Sequence, residues 1–385
     1  MQLTQQEEKA LAGEEGEALA TAYRILVASG EATDAEYLSP VKWVHLSGVN
    51  YNTIGDSGES FLRQISQDAH VRVQTTLNPM GFDINSVSKF NLGDNFIQKQ
   101  QSIRDSYERM GVIPTFSCIP YEIFDLPEKG TQVAFAESNA AIYANSVANL
   151  KTNKESAFTA RASALTGKSP YSSLRTEEDA PSTPIHMDVS NPDELDFGML
   201  GYFAGKMAKT ESVSLSGINM PDMRKCKSLC GGMGTSGTCA KFNISKDSPS
   251  NTIHFDKKES QNIHDELNTS DDGDIITLGS PQLGLPELSD LTSMLKNKSF
   301  TKPCIIFCPK TIQDKAESLG YVNKIQHAGA EIFYDCCICL TPLIDKAQID
   351  GVITNSVKGA YYLNKSTGVK VNLKNLSSII GDETK

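Results

Sequence analysis

Two cysteines follow two short apolar runs in the last third of the sequence. Cys308 comes directly after Pro303–Phe307, and Cys337 comes shortly after Glu331–Tyr334. The segment between the runs, Thr311–Gln326, has helical spacing, so the pattern predicts a strand, a helix and a second, parallel strand. Because the carboxyl ends of parallel strands share one sheet edge, we expect both thiols where α/β sheets bind ligands.

A third cysteine has the same setting, since Cys118 follows the apolar run Val112–Phe116. Three thiolates can hold an iron–sulfur cluster and leave one iron without a protein ligand. Such an iron could act as a Lewis acid toward a hydroxyl group while a base removes a proton from the adjacent carbon, so the pattern suggests elimination of water. Cys308 is preferred over Cys304 because Cys304 begins its strand. The alternative is that these cysteines fill the core of an ordinary α/β binding module.

The other candidate motifs carry less chemistry. Cys226 and Cys230 lie four apart on a predicted helix, but no second pair completes a zinc site, so we interpret them as core residues. The glycine-rich run 231–237 matches no phosphate-binding fingerprint. The six histidines are scattered and form no HxxxH pattern, which argues against a zinc hydrolase.

The composition is that of a soluble globular protein, with 39% hydrophobic and 22% charged residues among 385. A net charge of −11 argues against nucleic acid or an anionic membrane as a partner. The N-terminus lacks the features of a signal peptide, and no apolar run approaches the ~20 residues that a membrane helix needs. We therefore expect a cytoplasmic protein with reduced cysteines and no membrane partner.

The length predicts more than one domain. Alternating strand and helix patterns predict an α/β fold with an N-terminal α/β domain over residues 1–180 and a middle α/β domain over residues 181–270. A C-terminal α/β domain over residues 271–385 would carry two of the proposed cluster cysteines.

Several motifs, in order from about residue 20 to residue 370, resemble the large subunit of the aconitase X family. They are Gly48–Asp56, Thr75–Pro79, Cys118–Tyr121, Glu137–Val147, Ala164–Lys168, Gly279–Leu283, Asp335–Cys337 and Asn355–Lys358. The resemblance implies an aconitase-like multi-domain architecture with mainly parallel sheets flanked by helices. Family members often have Pro-His where this chain has Pro281-Gln282, so no histidine role is carried over.

The resemblance also implies a hydro-lyase that works through a 4Fe–4S cluster, with a 2Fe–2S cluster or mononuclear iron as alternatives. One activity known for the family is dehydration of (R)-5-phosphomevalonate to trans-anhydromevalonate 5-phosphate in the archaeal mevalonate pathway, and this is the expected function. The alternatives are cis-3-hydroxy-L-proline dehydratase and a non-catalytic iron-binding redox sensor. The expected cluster ligands are Cys118, Cys308 and Cys337.

An otherwise acidic chain needs local cations to bind a phosphorylated hydroxy acid. The candidates in family-like segments are Lys154, Arg161 and Lys358, although each could instead be a solvated surface charge. The polar residues expected to orient the substrate are Ser47, Gly48, Asn78, Ser138, Asn139 and Asn145.

No residue of this chain is an obvious base for the elimination. In aconitase-like enzymes the base is a serine from a separate domain that packs over the cluster, and only a short polar tail follows Asn375 here. We therefore expect no catalytic base in this chain and a small partner subunit that supplies one and closes the site.

Overall fold

The computed structural model describes residues 1–176, 182–345 and 347–385. The strands are β1 Leu38–Pro40, β2 Trp43–Leu46, β3 Gln74–Leu77, β4 Val133–Phe135, β5 Lys168–Pro170, β6 Ser182–Met187, β7 Ser212–Ser216, β8 Lys241–Ile244, β9 Ile253–Phe255, β10 Ile275–Leu278, β11 Cys304–Cys308, β12 Ala330–Tyr334, β13 Gly351–Thr354 and β14 Lys370–Leu373. The helices are α1 Gln5–Leu11, α2 Glu17–Ala32, α3 Tyr51–Ile65, α4 Asp94–Arg109, α5 Ser138–Ser146, α6 Ala157–Thr166, α7 Glu194–Met207, α8 Met223–Thr235, α9 Lys257–Leu267, α10 Leu285–Met294, α11 Lys310–Ser318, α12 Tyr321–His327, α13 Val357–Tyr362 and α14 Leu376–Asp382.

Three parallel sheets form the framework. Their strand orders are β3-β2-β4, β8-β7-β6-β9 and β12-β11-β10-β13-β14, and a short antiparallel pair joins β1 to β5. The prediction of an α/β fold with mainly parallel sheets is confirmed. The predicted boundary at 180/181 lies outside the described residues, and the division into three domains stays a prediction. None of the described helices combines the length and apolarity needed to cross a membrane.

Strand β11 is buried on both faces, as expected for an inner strand of a parallel sheet. Its side chains alternate between two cores. Cys304, Ile306 and Cys308 pack with α10, α11 and α12 in one core, whereas Ile305 and Phe307 belong to the core on the opposite face. This alternation places both cysteines of the strand in the core that α10, α11 and α12 cover.

The predicted strand Val112–Phe116 does not form. Ile113 makes a single bridge to Thr76, and Pro114 has no N–H to continue a ladder. Cys118 therefore lies in a loop beside the first sheet, not at the end of a strand. The predicted helix Thr311–Gln326 is likewise two helices, α11 and α12, because the chain turns at Gly320 with φ 74°.

The glycines of the run 231–237 serve helix packing. A Cβ atom on Gly232 of α8 would lie 2.0 Å from the carbonyl oxygen of Gly198 on α7. A Cβ on Gly201 would lie 2.2 Å from the carbonyl oxygen of Leu229. Both contacts are too short for any side chain, so glycine is what allows the two backbones to touch. Close packing thus accounts for these glycines without a nucleotide.

Candidate functional site

The site lies in a cleft between the carboxyl edges of the first and third sheets. Loops that follow β2, β3 and β4 face loops that follow β10, β12 and β13, and Met80 N–H donates to the Asp335 carbonyl across the gap at 2.8 Å. The chemistry-bearing residues of these loops and of the helix starts that follow them are Ser47, Asn78, Glu137, Asn139, Ser280, Cys337, Cys339 and Lys358. This is the edge at which α/β sheets bind ligands.

Three thiols meet in this cleft. The interaction between the Cys337 and Cys339 thiols raises the pKa of Cys337 and lowers that of Cys339. Burial, followed by the charge of Cys337, raises the pKa of Cys118 to about 12. The hydroxyl of Ser280 lies 3.2 Å from the sulfur of Cys339. Cys118, Cys337 and Cys339 therefore lie close enough for their charges to affect one another's pKa.

A buried ammonium group faces these thiols. Nζ of Lys358 donates to Glu137 Oε1 at 2.5 Å and to Asn139 Oδ1 at 2.8 Å. Burial acts to lower the pKa of Lys358, but the charges of Glu137 and then of the thiols hold it well above its usual value. The ammonium in turn favours the thiolate form of Cys118, Cys337 and Cys339, which is the form that binds iron.

Cys308 does not join this group. Its side chain points to the core that also holds Cys304, on the face of β11 opposite to Phe307. Burial raises its pKa, and the nearby charges are those of Asp335 and Lys310, not of Cys118 or Cys337. The expectation that Cys308 completes the ligand set therefore lacks geometric support, because the period of a strand turns it away from the cleft.

A cavity of about 620 Å³ lies near the thiol-bearing turn, although no cysteine of the described residues forms part of its wall. Four residues expected to bind substrate line it, namely Ser47, Gly48, Asn78 and Arg161. Leu340, the residue after Cys339, forms part of its wall. Asn78 connects the cavity to the buried ammonium, since its Nδ2 donates to Glu137 Oε2 at 2.8 Å. The volume of the cavity lies within the ~300–1,000 Å³ typical of small-molecule sites.

Arg161 is the cation of this cavity. Its guanidinium carbon lies 5.4 Å from the ring centre of Phe61 and 5.6 Å from that of Phe158. Arg161 is only 8% exposed, yet in residues 1–176, 182–345 and 347–385 it has no ion pair, and its Nε lacks an acceptor. A guanidinium fixed between two rings and short of acceptors is suited to a phosphate or carboxylate.

Comparison with known proteins decides the family. Family models described as Aconitase X first, second and third domain match residues 1–178, 181–276 and 273–385 in chain order. The chain belongs to the aconitase X family. The predicted resemblance is thereby confirmed.

Named relatives of this aconitase X chain are dehydratases. The phosphomevalonate dehydratase large subunit of Thermococcus kodakarensis is 32% identical over 99% of both chains. The protein of that name from Methanocaldococcus jannaschii is 33% identical over 94% of this chain and 95% of its own. The cis-3-hydroxy-L-proline dehydratase of Hypocrea jecorina is 28% identical over 93% of this chain but 64% of its own length. The prediction of a hydro-lyase is confirmed at the level of the family.

A crystal structure of Thermococcus kodakaraensis aconitase X in its holo-form superposes with a TM-score of 0.91 at 31% identity, covering all of both chains. The predicted aconitase-like architecture is confirmed by this match.

The other expected substrate residues of the aconitase X chain have different roles. Asn145 is buried and bonds to the backbone of Thr152 and Ala240, so it holds loops together. Lys154 donates to the carbonyl of Gly237 at 2.7 Å, and burial lowers its pKa. Neither residue lines the cavity.

Asn139, Ser138 and Lys358 also stay outside the cavity wall. Asn139 donates to the Cys118 carbonyl at 2.9 Å and accepts from Lys358, so it positions both. Ser138 begins α5 and packs against Gly234. Lys358 is committed to Glu137 and is not free to hold a phosphate.

Glu137 and Cys339 were not among the site residues that the sequence predicted. Glu137 lay within a family-like segment, but nothing local shows that its carboxylate is fully buried against a lysine 221 positions away. Cys339 lies two residues after Cys337, and that spacing was the available signal.

Proposed function

We propose that this chain is the iron–sulfur-binding large subunit of a dehydratase that converts (R)-5-phosphomevalonate to trans-anhydromevalonate 5-phosphate. The observation that carries the proposal is the nearly buried Arg161, held between two rings and without an ion pair in the described ranges, in a cavity beside three thiols. An anionic group on one end of the substrate would bind Arg161 while its hydroxyl end faces the thiols. The relatives named above as phosphomevalonate dehydratase large subunits support this substrate.

The proposed ligands of the cluster are Cys118, Cys337 and Cys339, with Cys339 in place of Cys308. Soft thiolates are the usual ligands of iron–sulfur clusters, and the buried Lys358 offsets part of their charge. No three Cys, His, Asp or Glu side chains in the described ranges are spaced to hold one metal ion. In a 4Fe–4S cluster each of the three cysteines would bind a different iron. The donor set of three thiolates is the kind that such a cluster would use.

In the reaction, the cluster would supply a Lewis acid for the departing hydroxyl group. The chain itself supplies three functions. Arg161 binds the phosphate, Asn78 fixes the cavity wall nearest Glu137, and Lys358 keeps a positive charge where negative charge develops. The ion pair with Glu137 holds the ammonium in place, so no reorganisation is needed during the reaction.

The proposed partner is a small subunit that closes the cavity and supplies the base. The phosphomevalonate dehydratase relatives named above are large subunits, which supports a two-subunit enzyme. Phe158 stands at the cavity mouth with 60% of its surface exposed, which is unusual for a phenylalanine and suits a surface that a partner covers. Closure would exclude water from the elimination.

The test is to purify the chain without oxygen, alone and with its small subunit, and to follow water elimination from 5-phosphomevalonate and from cis-3-hydroxy-L-proline. We expect iron in the chain alone, and turnover of the phosphorylated acid only with both subunits. Turnover of cis-3-hydroxy-L-proline but not of 5-phosphomevalonate would make cis-3-hydroxy-L-proline the proposed substrate. An iron-bearing pair without turnover of either would favour a redox sensor, and full turnover by the single chain would remove the partner from the mechanism.

A further inference from the structure

Gln282 lies at the centre of the interface that brings the thiols together. It sits in the loop between β10 and α10 and has no exposed surface. Its neighbours belong to the loop that carries Cys118 and to the turn that carries Cys336 and Cys337. A fully buried glutamine at such a place needs a partner for each of its polar atoms.

Every polar group of the Gln282 side chain has a backbone partner. Oε1 accepts from the N–H of Cys118 at 3.1 Å, and Nε2 donates to the carbonyls of Phe116 at 3.2 Å and Cys336 at 3.0 Å. One amide thus joins the two thiol-bearing segments, which come from distant parts of the sequence. An amide satisfies all three backbone groups, because it offers one acceptor and two donors in fixed directions.

The backbone of Gln282 acts on the thiol itself. Its N–H donates to Sγ of Cys118 at 3.2 Å, and this bond favours the thiolate form. On its other side the carbonyl accepts from Nζ of Lys227 at 3.0 Å. Lys227 on α8 is itself buried between Glu122 and Glu287. Gln282 is therefore held through its side chain by the two thiol-bearing segments and through its carbonyl by Lys227 on α8.

We propose that Gln282 is a positioning residue that sets the separation of Cys118 from Cys337 and so the affinity of the chain for its cluster. The inference rests on the proposed function, because it takes Cys118 and Cys337 as ligands. Residues that orient metal ligands typically change affinity about 10- to 100-fold when they are replaced. Loss of the Gln282 amide frees two carbonyls and one N–H in the interface, and both segments can then drift apart.

The experiment compares Gln282→Met and Gln282→Glu with a matched control, Gln100→Met. Gln100 is also a buried glutamine that bonds to two backbone groups, at Val49 and Tyr51, but it touches no thiol. Two quantities are measured in each chain: the iron retained against a chelator, and the alkylation rate of Cys118 by iodoacetamide in the iron-free protein. Thermal unfolding records the stability of each variant.

We expect the Gln282 variants to hold iron about 10- to 100-fold more weakly and to expose Cys118 to faster alkylation. Gln100→Met should lose stability but change neither quantity. A folded Gln282 variant with the iron affinity and the Cys118 alkylation rate of the wild type would overturn the proposal. Failure of both Gln282 variants to fold while the control folds would also overturn it, since Gln282 would then be needed for the fold. Absence of iron from the wild-type chain would count against the proposed function, and the alkylation rates would still judge Gln282.

Discussion

Arg161 offers the sharpest test of substrate binding, and its replacement by alanine should weaken binding of the phosphorylated substrate. Arg161 is 8% exposed, its guanidinium lies over the rings of Phe61 and Phe158, and it has no competing carboxylate in the described ranges. Its full charge is therefore available to the ligand. Because phosphate takes no part in the elimination, its contact with Arg161 should contribute equally to ground state and transition state.

The size of the effect follows from the contact. Hydrogen bonds to charged groups contribute about 1.5–3 kcal/mol, and every 1.4 kcal/mol is a factor of about ten. Arg161→Ala should thus raise KM roughly 10- to 150-fold and leave kcat nearly unchanged. Arg161→Lys keeps the charge but loses the planar guanidinium and its stacking on the rings, so its KM should lie between those of the wild type and Arg161→Ala.

The assay is steady-state dehydration by the two-subunit enzyme, with the phosphorylated acid and with the same acid lacking phosphate. Arg63→Gln is the matched control, since Arg63 is an exposed arginine that pairs with Glu59 at 3.4 Å. The penalty of Arg161→Ala should vanish for the substrate without phosphate. An equal loss with both substrates, or no loss with either, would refute the assignment of Arg161 to the phosphate.

Three further outcomes are expected. Cys339→Ser should remove most of the iron measured after anaerobic purification, whereas Cys308→Ala should keep it; the reverse pattern would restore Cys308 as a ligand. Lys358→Met should lower the free energy of unfolding in urea by about 3–5 kcal/mol, because it leaves Glu137 charged and buried. Adding Glu137→Gln to Lys358→Met should recover much of that loss. Losses that simply add in the double variant would contradict the ion-pair argument. Burial lowers the pKa of His45 from 6.5 to about 4 in the folded chain. The unfolded chain therefore takes up this proton at a higher pH than the folded chain does. The free energy of unfolding should consequently fall by roughly 3 kcal/mol as the pH drops from 6.5 to 4. His45→Gln should flatten this slope in urea titrations while the exposed His327→Gln should not, and an unchanged slope in His45→Gln would exclude His45 as its source.

Local patterns in the sequence predicted local structure well. Thr4 and Glu7 have the sequence spacing of a capping box, and both of its hydrogen bonds are present at the start of α1. The apolar run before Cys308 predicted β11 within one residue at each end. These signals depend on neighbours in the chain, which the sequence displays directly.

The parts that failed depend on contacts between distant segments. The sequence shows that Cys304 and Cys308 share a face of β11, but not which face turns toward the cleft. Lys358 resembled a phosphate-binding cation, and only the fold reveals its carboxylate partner. The small residues and glycines of the segment 47–58 favour a loop, yet Asn50 caps α3 and the helix runs through most of that segment.

The long separation of the thiols along the chain has a consequence for biogenesis. Cys118 is made more than two hundred residues before Cys337 and Cys339, and the amide that joins them belongs to yet another segment. A ribosome that has released only the first sheet offers iron a single thiol, which is a poor ligand set for a cluster. With the proposed ligand set, cluster loading then follows the completion of synthesis and the docking of the sheets. Cells short of cluster-assembly capacity should therefore accumulate the full-length chain without iron.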